Sequence, residues 1–424
     1  MTQFSLPLLL GVGLSLALTP ISRRLALWVG AIDKPSARRI HTVATPRFGG
    51  PAIFMALVFA SLLAAWFDPA VGAILRLEAR RLVSLTIAAS MILLVGVVDD
   101  IQPLKPVPKL LVEMTAAAFV VFGGYRIEAV WFYHLGLWSM PVTMVFIVAA
   151  VNAINLVDGL DGLAVGLCLI ISTTLLLMCT SRGQGETPLM LAALCGVLLG
   201  FLPYNFNPAR IFLGDSGALL LGFMVSIGTI SAAHQMIGSG VTLAPFIVLG
   251  VPLAELVLTA TRRILREVKV KQLRGAEARY RWFFLRRPAL FTADRDHIHH
   301  RLLIFGFTHR GVVLLLYLVC AICCASALAI SYRPAMRTTL LAGLAVAGIL
   351  GLRKLEYPEL MLLKTGLLLP LPRIELSQPT KRGERRISRR SNRVARSDAS
   401  IAGTRTAEHM RQRTNLDSAA RRTR

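Results

Sequence analysis

The sequence predicts an all-α polytopic membrane protein with about eleven transmembrane helices. Three observations carry that expectation. Hydrophobic residues make up 55% of the 424 and charged residues only 17%, with a mean hydropathy of +0.62. Apolar runs of roughly 17–25 residues recur along the chain, the length that crosses a bilayer core. The runs are continuous rather than alternating with period two, and lipid admits only helices or closed barrels, so helices are expected.

In order, the runs fall near 4–20, 48–67, 82–98, 107–124, 139–156, 162–180, 188–204, 211–231, 242–261, 312–332 and 337–352. The first lacks a basic leader and an A-x-A cleavage site, so it reads as an anchor rather than a signal peptide. The net charge is +24 and its placement orients the chain. Arg23, Arg24, Lys34, Arg38, Arg39 and Arg47 follow the first run. A second basic block from Arg262 to Arg287 follows the ninth, and arginines crowd the tail after Lys381. The positive-inside rule sends all three to the cytoplasm. Eleven crossings then place the N-terminus outside (periplasmic) and the C-terminus in the cytoplasm, with every basic region on the correct side.

Residues 1–355 are read as the membrane domain and 356–375 as an interfacial segment. Residues 376–424 form a basic tail, rich in Arg, Ser and Thr, which composition marks as disordered. That tail reads either as a solvated extension or as a contact for anionic lipid; beyond its charge nothing supports nucleic acid as a partner. The six cysteines lie in or near apolar runs. Cys320-x-x-Cys323-Cys324 has no histidine beside it and reads as buried thiols rather than a metal site. No internal repeat marks a transporter built from two halves.

Five polar clusters border the spans, and the topology puts all five on the cytoplasmic side. They are Arg38-Arg39-Ile40-His41 with Thr45 to Gly50, Asp99-Asp100 with the segment to Lys109, Asn152 to Ala164, Asn205 to Gly217, and His297-Ile298-His299-His300. Ionisable groups at membrane depth are costly and are functional candidates by default. Carboxylates gathered at one face favour a hard divalent cation, Mg²⁺ above all. Lys109 and Arg210 are cations suited to phosphate oxygens. The collection suits phosphoryl transfer at a membrane surface. Plainer readings stand beside this one. Asp99-Asp100 is also a plausible helix end, and Asp158 or Asp161 an N-cap of the sixth span. Asn152 also reads as a helix-to-helix hydrogen bond. His297, His299 and His300 read as a zinc site, a surface run or a phosphate cluster, and helical spacing does not place all three on one face.

At these residues the sequence resembles the polyprenyl-phosphate N-acetylhexosamine-1-phosphate transferases, integral membrane enzymes of glycosyltransferase family 4. The resemblance covers most of residues 10–310 and rests on five motifs in order. These are Arg39-x-His41 with Pro46-Arg47-x-Gly49-Gly50, Asp99-Asp100 through Lys109, Asn152-Ala153-x-Asn155-x-x-Asp158-Gly159-x-Asp161-Gly162, Asn207-Pro208-Ala209 through Asp215-x-Gly217, and His297 to His300. It implies transfer of a sugar-1-phosphate from a UDP-amino-sugar to undecaprenyl phosphate, with release of UMP. It also implies Mg²⁺ or Mn²⁺, a bacterial inner-membrane location with a cytoplasmic active site, and a homodimer. The His-Ile-His-His pattern resembles the branch that uses UDP-GlcNAc or a related sugar. The other branch, which uses UDP-MurNAc-pentapeptide, shows three consecutive histidines.

The roles implied are then as follows. Asp99 is the candidate base, with Asp100 holding it or assisting the metal. Asp215, joined by Asp158, is the metal ligand. Asn152, Asn155 and Asp161 bind the nucleotide. His297, His299, His300 and Arg301 hold the sugar-phosphate. Lys109 and Arg210 contact substrate phosphates, and His41 and Arg47 bind substrate. Glu255 is a departure, standing where the pattern has aspartate, and it is not expected to be a ligand. A transporter or scramblase would place its acids at mid-membrane, and an inactive scaffold would not need them.

Overall fold

The computed structural model describes residues 2–33, 44–130, 133–181, 185–237, 242–273 and 297–354. The described residues belong to one compact unit, Met1–Thr365. They form a helical bundle with two small antiparallel ribbons, β1 (Ile32–Asp33) with β2 (Thr45–Pro46) and β3 (Ala129–Val130) with β4 (Tyr133–His134). The helices in the first half are α1 (Thr2–Val29), α2 (Gly49–Phe67), α3 (Pro69–Leu77), α4 (Ala79–Ile101), α5 (Pro106–Gly123) and α6 (Ser139–Val157). There follow α7 (Leu163–Thr180), α8 (Glu186–Asn205), α9 (Gly214–His234), the short α10 (Ala244–Ile247) and α11 (Gly250–Leu273). The last three are α12 (Ile298–Ile304), α13 (His309–Tyr332) and α14 (Arg337–Lys354).

Helix α9 is the axis. Its apolar window is wholly buried, with α2, α4, α6 and α7 packed around it. Close approach at its N-terminus needs a residue without a side chain on α4. A Cβ on Gly96 would lie 2.3 Å from Ser216 Cα, so only glycine brings the end of α4 against the start of α9. The outer helices invert the usual pattern. Leu94, Leu111, Phe122, Leu314 and Leu318 are exposed, which is the apolar surface lipid requires. The break between α2 and α3 is set by Asp68, whose side chain accepts the Ala70 amide hydrogen at 2.9 Å, with Pro69 opening the helix.

Ten helices among the described residues are long and apolar enough to cross a membrane, one fewer than the eleven runs. The missing one is the ninth, 242–261. Its chain begins as the short α10 and continues as α11, whose length carries Glu255, Arg262, Arg263, Arg266, Lys269 and Lys271. Those charges take it below the hydropathy of a lipid-exposed span. Even so, the chain recrosses the bundle here. Met236 Sδ lies 4.0 Å from Ser331 Oγ, near the end of α13, while Glu255 meets His297, before its start. The 22-residue separation of Ser331 from His309 along α13 corresponds to about 33 Å.

Candidate active site

The two aspartates at the end of α4 have different tasks. Asp100 is buried, and its carboxylate caps α9. Oδ1 accepts the Asp215 amide hydrogen at 2.8 Å, and Oδ2 accepts from the Ser216 amide at 3.1 Å and the Ser216 hydroxyl at 2.6 Å. Helix N-termini leave unpaired N–H groups and a partial positive charge, and a carboxylate answers both. Through these three bonds Asp100 holds the start of the helix that carries Asp215. Gly214, at φ +72°, makes the preceding turn.

Asp99 faces the other way. Its Oδ1 accepts the Leu104 amide hydrogen at 2.6 Å, and its Oδ2 accepts from Lys109 Nζ at 3.0 Å. The same Nζ donates to Asp215 Oδ2 at 2.5 Å. The loop Gln102–Lys105 and the proline-started α5 thus return Lys109 to bridge two carboxylates far apart in sequence. Arg47 adds a second cation, with Nη2 3.7 Å from Asp215 Oδ1 and Nε 4.0 Å from Asp100 Oδ1. Its backbone is laced in place: Arg47 N–H donates to Ala31, Phe212 N–H to Pro46 and the Ser22 hydroxyl to Phe48. Asp99, Asp100, Asp215, Lys109 and Arg47, read from three separate motifs, form one cluster.

The Asn152–Ala164 motif forms the end of α6, a tight loop and the start of α7. Asp161 is not the N-cap of α7; Gly162 holds that position. Asp161 Oδ2 instead accepts from Asn207 Nδ2 at 3.0 Å and the Ala209 amide at 3.2 Å, tying the loop to the segment before α9. Asn205, not singled out in the sequence, accepts the Gly162 amide hydrogen at 3.2 Å and donates to the Ile211 carbonyl at 3.0 Å. Asn152 makes the helix-to-helix bond of the plainer reading. Its Nδ2 donates to Glu113 of α5 at 2.5 Å and to the Val148 carbonyl at 2.9 Å. Asn155 lies one turn further, half-buried. Asp158 follows the helix end, where burial, and then the nearby Asp215 carboxylate, push its carboxyl up to about 8.

The histidine motif reaches this loop. His299 is buried and its ring lies on Gly159, where a Cβ would be 2.2 Å from Nε2. Burial, followed by His300 and His297, drives its imidazole down to about 3, so it is neutral near pH 7. The spacing argument against a shared face fails. The His297 and His299 rings stack at 5.5 Å, and the His300 ring lies 4.5 Å from His299. The short helix brings all three together, but no group of three metal-binding side chains occurs among the described residues. Arg301 lies in the same helix, its amide donating to the His297 carbonyl. Arg210 is exposed on the loop before α9 and takes no part in the ion pairs of the aspartate cluster among the described residues. Arg310 was not anticipated; its guanidinium donates to the Asn207 carbonyl at 2.9 and 3.2 Å. His41 lies outside the described residues.

Comparison with known proteins meets this geometry at the same residues. The family described as glycosyl transferase family 4 matches residues 82–233, which hold Asp99, Lys109, Asp158 and Asp215. A probable undecaprenyl-phosphate N-acetylglucosaminyl 1-phosphate transferase of Bacillus subtilis is 34% identical over 310 residues, covering 72% of this chain and 78% of that one. The chain belongs to this family. A decaprenyl-phosphate N-acetylglucosaminephosphotransferase of Mycobacterium tuberculosis is 31% identical over 356 residues, 77% of this chain and 83% of its own. A phospho-N-acetylmuramoyl-pentapeptide-transferase of a Synechococcus strain is 29% identical over 336 residues, 73% and 84%. This family-4 transferase is thus a multi-pass membrane protein whose relatives are sugar-phosphate transferases, and its candidate site lies at one end of the bundle.

Proposed function

We propose that the protein transfers GlcNAc-1-phosphate from UDP-GlcNAc to undecaprenyl phosphate at the cytoplasmic face of a bacterial inner membrane, initiating a cell-envelope polysaccharide. A polyprenyl-phosphate oxygen attacks the β-phosphorus. The bond from that phosphorus to the bridging oxygen breaks, and UMP leaves. The observation that carries this reading is Lys109 held between Asp99 and Asp215 at the ends of two membrane helices. A lipid phosphate and a soluble nucleotide both reach such a place.

Asp99 accepts the proton of the lipid phosphate. Lys109 on Oδ2 and the Leu104 amide on Oδ1 fix the orientation of the carboxylate that would act as base. Lys109 and Arg47 offset phosphate charge. Asp215, with Asp158, would hold Mg²⁺ or Mn²⁺. The donor set fits: Asp215 already faces a cationic group, the Asp158 carboxyl lies near enough to feel the Asp215 carboxylate, and Mg²⁺ commonly takes one or two carboxylates and completes its shell with phosphate oxygens. When bound, the metal neutralises charge developing on the diphosphate. Asp161 and Asn205 hold the nucleotide-facing loops, and the histidines meet the sugar-phosphate.

The test is UMP release by purified protein with undecaprenyl phosphate and Mg²⁺, using UDP-GlcNAc and UDP-MurNAc-pentapeptide separately. UMP from UDP-GlcNAc alone supports the proposal. UMP from the pentapeptide substrate alone would assign the chain to the activity named for the Synechococcus relative.

A further inference from the structure

We infer that Glu255 is the positioning residue of the histidine motif, holding His297 and the start of α12 so that the imidazoles stand ready over the Asp158 turn. The inference rests on the proposed donor site. Glu255 is 2% exposed on α11. A buried carboxylate is tolerated only when its oxygens are satisfied. Here, Oε1 takes His297 Nδ1 at 2.7 Å and the Thr259 hydroxyl at 3.1 Å, and Oε2 accepts the Ile298 amide hydrogen at 3.0 Å. Arg262 Nη2 lies 3.7 Å from Oε1 and donates to the Thr259 hydroxyl at 2.9 Å.

Glu255, Thr259 and Arg262 are spaced four and three residues apart, so they share one face of α11. All three are buried, and their polar stripe points at the histidine motif rather than at lipid. At the receiving end, the Ile298 amide is the first of α12, and His297 supplies no side-chain cap of its own. The Glu255 carboxylate does that work from another helix, and it sets the proton of His297 on Nδ1. The first residues of α12 then carry His299 onto Gly159. Glu255 acts through His297, since its oxygens are turned into the protein.

The experiment uses the full chain in detergent. Donor and lipid KM are measured by UMP release, and hydrogen exchange is followed at residues 298–304. Glu255→Gln puts an N–H donor against either His297 or Ile298. It should raise the KM for UDP-GlcNAc about 10-fold, the scale seen when a residue orienting a histidine is lost. The lipid KM should stay within about 2-fold, and exchange at 298–304 should quicken. Glu255→Asp, which keeps both oxygens, should restore most of the donor KM. Equal rises in both KM values, or an unchanged donor KM with unchanged exchange, would overturn the inference. Should Glu255→Gln not fold, Thr259→Val, of nearly equal shape, carries the test with a donor KM raised about 3-fold; no change there in KM or exchange would overturn it. If wild-type protein released no UMP from any UDP-sugar, the proposed reaction would fail. Exchange at 298–304 in the variants would still decide the tie to Glu255.

Discussion

Replacing Asp100 by Asn separates holding from chemistry. The Asp100 side chain accepts three hydrogen bonds from the first residues of α9, two of them from backbone amides. An Asn amide offers one acceptor oxygen and one donor nitrogen. The Ser216 hydroxyl can rotate to accept from that nitrogen, but one backbone N–H is left without an acceptor in a buried place. Such an orphan costs about 1–3 kcal/mol, and losing the carboxylate charge at a helix N-terminus adds about 0.3–1 kcal/mol. Asp100→Asn should therefore lower stability by about 2–3 kcal/mol, read as a lower melting temperature in detergent. Because Asp215 rides on the same turn, turnover should fall as well. Asp99→Asn is the contrast. Its carboxylate is held by Lys109 and one loop amide, so stability should change little, while turnover falls about 10²-fold or more for loss of a base. Asp100→Asn with wild-type melting and lost turnover would refute the capping role and place Asp100 in the chemistry.

Three further outcomes follow from the same cluster. Lys109→Met removes the cation between Asp99 and Asp215, so Mg²⁺ should half-saturate at a lower concentration while turnover drops at least about 10²-fold; an unchanged Mg²⁺ requirement would count against the shared position. Gly159→Ala drives a methyl into His299 and should raise the KM for UDP-GlcNAc at a stability cost of about 1–3 kcal/mol, and normal donor kinetics would show that the ring lies elsewhere. Asp158, raised to about 8, is protonated below that pH. Protons therefore compete with the metal as pH falls from about 9 to 7, and Mg²⁺ affinity in wild type should weaken over that window but not in Asp158→Asn.

The meeting of Asp99, Lys109 and Asp215 was legible in the sequence because each borders an apolar run and the runs, counted in order, bring their polar ends to one face. What each acid does there was not. Asp100 and Asp99 are chemically identical neighbours, and only the packing of Gly96 against Ser216 turns one of them under α9. Glu113 sits inside a span with no polar neighbour in sequence, and its partner Asn152 comes from the next helix. Glu255 has the same difficulty, its partners His297 and Ile298 lying beyond a long basic segment. The ninth span was misjudged in extent because hydropathy was read up to residue 261, whereas the helix continues through the arginines and lysines to Leu273. The clustering of three histidines was missed because spacing on a helix was weighed without the turn at His297 that precedes it.

The most direct test of sugar-phosphate transfer follows one phosphorus atom. UDP-GlcNAc labelled at the β-phosphorus is incubated with the purified protein, undecaprenyl phosphate and Mg²⁺, and the label is traced to lipid or water. The expected result is β-label in an undecaprenyl-diphosphate sugar, with unlabelled UMP in the aqueous phase. Sugar on the lipid with the β-label left in aqueous UDP would contradict attack at phosphorus and, with it, the roles given to Asp99, Lys109 and Asp215.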